Sequence, residues 1–125
     1  MWQRVAPPLL RGDGMIRQRE DDLQKDCVRL LRSTGFIVSH TPNQLLHWLP
    51  VGARQKYLNL GVTAGFPDLT IIGHNVILFA ELKSKTGRQS QIQSKMEYEI
   101  TRRGHEYVIW KTIDDCAAWV SEVRR

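Results

Sequence analysis

Apolar residues at Leu23, Cys27, Leu30 and Leu31 fall four, seven and eight positions apart, one stripe along a helix. A helix is therefore predicted from about Gln18 to Ser33, with Gly35 as its stop. The next run, FIVSH (36–40), is short and β-prone. Residues 41–64 break the pattern: TPNQ reads as a turn, and ARQKYLNLG as one or two helical turns ended by Gly61. A connection this long is often functional. Two apolar runs then follow, Leu69–Ile72 and Val76–Leu82, with GHN between them, the mark of a hairpin. A second helix is expected from about Gln91 to Arg103, with Ile92, Met96 and Ile100 on one face and Gly104 at its end. EYVIW (106–110) reads as a strand. A last helix runs from Thr112 to about Val123, with Thr112 as N-cap and Asp115 three positions on. The order α-β-β-β-α-β-α predicts an α/β fold, a small mixed sheet flanked by helices. Residues 1–14 lack periodicity and read as a flexible N-terminal arm, leaving residues 15–125 as a single domain.

The hairpin places chemistry. If its loop is His74–Asn75, Gly73 opposes Val76, and counting outward sets Asp68 opposite Glu81. Side chains alternate along a strand. Leu69, Ile71, Leu78, Ala80 and Leu82 then face the core, while Asp68, Glu81 and Lys83 share the other face. Of the 13 acids in the chain, Asp68 alone lies between residues 33 and 80, at the mouth of an apolar strand. Two carboxylates held close in partly buried surroundings repel unless one is protonated or a cation sits between them. Hard divalent ions such as Mg²⁺ suit such oxygen pairs. A lysine two residues along can position water or steady charge on a phosphorane-like transition state. The set therefore points to metal-assisted hydrolysis of a phosphodiester.

Composition narrows the class without deciding it. Hydrophobic residues make up 42% and charged residues 25%, ordinary for a soluble globular chain. No apolar run approaches the ~20 residues needed to span a bilayer, and the N-terminus has no apolar signal-like core. Cys27 and Cys116 form no CxxC pair and are expected as reduced, helix-buried thiols of a cytoplasmic protein. A net charge of +5 and a pI near 9.6 favour a polyanionic partner. The four histidines are scattered and read as structural or surface groups. Trp48, between Leu46 and Leu49, is expected to pack.

PDL at 67–69 followed by ELK at 81–83 looks like the PD-(D/E)xK nuclease signature of restriction-endonuclease-like folds. More narrowly, LGVTAGFPDL with AELKSKTGRQSQIQ, preceded by EDDLQ at 20–24, resembles the virus-type replication-repair nuclease (VRR-NUC) family over roughly residues 18–120. The resemblance implies that Asp68 and Glu81 ligate Mg²⁺ or Mn²⁺, with the backbone carbonyl of Leu82. It implies that Lys83 orients the attacking water and neutralises charge, and that Gln93 aligns Lys83 or the phosphate. Glu20 is implied as a further acid and metal ligand from the first helix, with Asp21 and Asp22 competing for that place. The products would carry a 5′-phosphate and a 3′-hydroxyl. Its stand-alone members point to a bacterial or phage-infected cell.

Simpler roles compete for several of these residues. Ser90-x-x-Gln93 is a capping box, and Glu20 also suits a helix N-terminus. Arg54, Lys56, Lys85, Arg88 and Lys95 are candidate phosphate contacts or solvated charges. The function expected is a metal-dependent, structure-selective DNA endonuclease acting at branched DNA, such as four-way (Holliday) junctions or flaps. A homodimer matches a two-fold substrate. The alternative is a catalytically silent nucleic-acid-binding module. A site-specific restriction-type enzyme ranks below both, because little chain is left for reading bases in a groove.

Overall fold

Leu69–Gly73 (β2) and Val76–Leu82 (β3) form the antiparallel hairpin, with Leu69 paired to Ala80, Ile71 to Leu78 and Gly73 to Val76. The two-residue loop closes through Asn75, whose φ of 59° is tolerated by asparagine better than by most residues. This is the expected register, and the expected core face follows from it. Leu69, Ile71, Leu78, Ala80 and Leu82 are all buried. Each large aliphatic side chain withdrawn in this way contributes about 1.5–3 kcal/mol.

The computed structural model describes residues 13–124, with side chains from residue 19. Ile37–His40 (β1) pairs antiparallel with β2, from Ile37 against Ile72 to His40 against Leu69. Glu106–Trp110 (β4) lies on the other side of β3, giving a four-stranded mixed sheet in the order β1-β2-β3-β4. The link from β3 to β4 passes through a helix, Gln91–Arg102, the crossover that a parallel neighbour requires. The remaining helices are Asp13–Ser33, Gln44–Trp48, Val51–Asn59 and Ile113–Val123. In chain order the five are α1 (13–33), α2 (44–48), α3 (51–59), α4 (91–102) and α5 (113–123). The fold is thus mixed α/β, as the sequence predicts. Among the described residues, no helix is long and apolar enough to cross a membrane.

The chain divides into two compact units. One comprises the described residues up to Phe36, Leu82–Arg88 and the described residues from Ile109 onward. Within it α1 packs on α5, joined by the buried, free thiols of Cys27 and Cys116. Their mutual hydrogen bond, together with burial, pushes the Cys27 thiol up, so it stays protonated. Trp119 of α5 stacks between Phe36 at 5.2 Å and Trp110 at 6.1 Å. α5 opens on the predicted capping box, Thr112 accepting from the Asp115 backbone N–H and Asp115 accepting from that of Thr112.

The other unit comprises Ile37–Glu81 and Gln89–Val108. It contains the greater part of the sheet, α2, α3 and α4. α4 begins at a complete capping box: Ser90 Oγ accepts from the Gln93 N–H, and Gln93 Oε1 accepts from the Ser90 N–H at 2.9 Å. Its first turn passes close over Gly65. A Cβ at Gly65 would overlap the Ile92 side chain and come within 3.0 Å of its backbone, and the glycine already has a φ of +78°. Both facts demand glycine there.

Three expectations need correction. The first helix starts at Asp13 rather than near Gln18, so the last two residues of the expected arm are helical; residues 1–12 lie outside the described part. The connection after β1 carries two helices. α2 was missed because QLLHW is too short for a period to show. Trp48 does not pack inward: it is 66% exposed, and Leu46 takes the buried position.

Two outcomes follow. Gly65→Ala should lower stability by about 1–3 kcal/mol in urea titration, because strain and overlap act together. Ser90→Ala should cost about 1 kcal/mol through loss of the α4 cap.

Candidate functional site

The turn that presents Asp68 is held from several sides. Asn43 Nδ2 donates to the Phe66 carbonyl at 2.6 Å. The Phe66 ring meets Phe79 of β3 edge-on at 5.7 Å, and Pro67 is buried. The Asp68 carbonyl accepts from the Thr41 N–H at 2.9 Å and lies 3.0 Å from His40 Nδ1. These contacts continue the β1–β2 ladder one step beyond its last pair, so the backbone of Asp68 is fixed like that of a strand residue. Its side chain is half-buried. His40 thus has a structural role, as expected.

Extending the β2–β3 register one step beyond Leu69 and Ala80 sets Asp68 against Glu81. Glu81 is 0% exposed. An ionised carboxylate so withdrawn needs hydrogen-bond donors or a cation. One donor is the Tyr107 hydroxyl on β4, 3.3 Å from Glu81 Oε1. That hydroxyl accepts from Gln89 Nε2 at 3.1 Å, and the same nitrogen donates to Glu97 Oε1 of α4 at 3.0 Å. Burial, then the Glu81 charge, pushes the Tyr107 hydroxyl up, so it remains a donor.

The other expected residues are placed as follows. Leu82 is buried at the end of β3. Lys83 is half-buried, its N–H donating to the Trp110 carbonyl at 3.0 Å. Gln93 is half-buried and commits its Oε1 to the α4 cap. Glu20 is half-buried in α1. Among the described residues no group of three or more His, Cys, Asp or Glu side chains gathers as a metal cluster. Lys56, Lys85, Arg88 and Lys95 are exposed. Arg54 is not: its guanidinium donates to the carbonyls of Leu46, His47 and Leu49 at 2.9, 3.3 and 3.2 Å, closing the end of α2. These bonds give the Arg54 guanidinium a structural role beside its reading as a phosphate contact.

Asp68 and Glu81 offer the hard carboxylate oxygens that Mg²⁺ or Mn²⁺ takes. Such ions need only one or two carboxylates, because water completes the shell. The donor set fits. Gln89, Tyr107 and Glu97 were missed from sequence. The only available signal is indirect: a buried acid demands a donor, but the register of β4 against β3 is not written in a loop between them.

No family model matches the sequence, and no curated protein matches it. Solved structures do. One, described as a VRR_NUC domain, is 17% identical with a TM-score of 0.60, over 82% of this chain and 95% of that one. A second, a VRR_NUC domain protein, is 21% identical with a TM-score of 0.60, over 84% of each chain. At these identities the likeness is one of architecture: this chain has the fold of the VRR_NUC domain structures.

Proposed function

We propose that this chain is a metal-dependent DNA endonuclease that hydrolyses phosphodiester bonds at branched DNA, such as four-way junctions or flaps, and acts as a homodimer. The observation that carries the reading is a wholly buried Glu81 at the end of the hairpin, one step beyond the Leu69–Ala80 pair, where the register extended sets Asp68 against it. Its occurrence on a fold shared with VRR_NUC domains adds support.

In this reading Asp68, Glu81 and the Leu82 carbonyl would hold Mg²⁺ or Mn²⁺. Such an ion, when bound, lowers the pKa of its water and polarises a phosphoryl oxygen. The protein residues do the rest. Lys83, two positions beyond Glu81 and just past the end of β3, orients the attacking water and offsets charge growing on the phosphate. The Gln93 amide nitrogen, on the group whose oxygen caps α4, meets a phosphate oxygen. Water attacks phosphorus and the bond to the 3′ oxygen breaks, leaving a 5′-phosphate and a 3′-hydroxyl. Exposed Lys56, Lys85, Arg88 and Lys95 contact flanking phosphates and position the DNA. A domain of this size grips a branched duplex best as a symmetric pair.

The test is digestion of nicked, forked, flapped, four-way and plain duplex DNA with Mg²⁺, Mn²⁺ or EDTA. Cleavage should need the ion, favour branched substrates and fall about 10³-fold or more in Asp68→Ala. Binding without ion-dependent cleavage would replace this reading with a silent DNA-binding module. Lys83→Ala should lower kcat about 10²–10³-fold with DNA affinity nearly unchanged; weaker binding at normal turnover would contradict its assigned role. Sedimentation should show a dimer at micromolar concentration, and a monomer would remove the two-fold argument.

A further inference from the structure

A carboxylate that must meet a metal ion has a rotational problem. The strand fixes where Glu81 starts, but not how its terminal group turns. The sequence Glu97–Gln89–Tyr107–Glu81 resolves this within one compact unit.

The direction of each hydrogen bond follows from the chemistry. Glu97 accepts, so the neighbouring atom of the Gln89 amide is nitrogen; an amide oxygen there would face a carboxylate. That nitrogen, 3.0 Å from Glu97 Oε1, also lies 3.1 Å from the Tyr107 oxygen and donates to it. Tyr107 has a single hydroxyl proton. Its oxygen receives from Gln89, so the proton is directed at Glu81 Oε1, 3.3 Å away. Three half-buried side chains, one each from a linker, α4 and β4, thus form a relay that ends, through the Tyr107 hydroxyl, on one oxygen of a buried acid.

We propose that Tyr107 is a positioning residue: its hydroxyl, aimed by Gln89 and Glu97, holds one oxygen of Glu81 and so sets the rotation at which that carboxylate meets a divalent cation. This rests on the nuclease reading above. Partners of this kind, one step out from a metal, commonly change affinity 10–100-fold when removed. Gln89 acts only through Tyr107, so the two are coupled rather than additive.

The experiment is Mn²⁺ titration by calorimetry, without DNA, on the wild-type chain and on Tyr107→Phe, Gln89→Leu and the double variant. Thermal melting in EDTA is recorded alongside. Tyr107→Phe keeps the ring and removes only the hydroxyl. It should raise the Mn²⁺ Kd about tenfold, while the EDTA melting temperature stays close to wild type. Gln89→Leu should weaken binding less, and the double variant no more than Tyr107→Phe. A lowered melting temperature with unchanged Mn²⁺ affinity would make Tyr107 merely structural and overturn the proposal. So would a separate, additive loss from Gln89→Leu. If Glu81→Gln leaves Mn²⁺ binding unaltered, or the wild-type chain binds none, the nuclease reading falls and this inference with it. If Glu81→Gln abolishes binding but Tyr107→Phe does not change it, only this inference falls.

Discussion

The full withdrawal of the Glu81 carboxylate from water is the constraint around which the rest of the structure is organised. An ion of this size placed in a protein interior costs several kcal/mol unless its surroundings return the lost hydration. A chain does not keep such a group in the last turns of its central hairpin for packing, since leucine would fill the space without the penalty. The compensation is structural. A tyrosine from β4 supplies a donor to Glu81 Oε1. Burial of Leu69, Ile71, Leu78 and Leu82 on the apolar face of the hairpin contributes stabilisation that offsets the cost of the buried acid.

Much of this was legible in the sequence because it is local. Alternation and a two-residue loop give the hairpin one register, which extended one step past Leu69 and Ala80 sets Asp68 against Glu81. The caps at Ser90 and Thr112 were legible for the same reason: donor and acceptor lie three positions apart. What resisted reading depends on contacts between distant segments. α2 has five residues and is closed by Arg54 from the following helix, so neither period nor composition announces it. Trp48 looked like a core residue by type, but the side of α2 that faces inward is chosen by Leu46. Tyr107 stands in a strand that was correctly expected, yet its partner depends on how β4 lies beside β3, which only the three-dimensional chain decides.

The basic residues divide in a similar way. Charge counting treats Arg54 and Lys56 alike, two residues apart. In the structure one is bonded to three carbonyls while the other faces solvent. A guanidinium presents a planar fork of donors, which suits the end of a short helix, whereas an ammonium is a strongly hydrated point charge that stays in water.

The close fit of Gly65 beneath Ile92 has a mechanical meaning. The loop that carries Asp68 and the helix that carries Gln93 mesh like teeth, with no slack for one to shift while the other stays. A bulkier side chain at the glycine would meet the Ile92 backbone as well as its side chain, so no smaller residue at position 92 would make room for it.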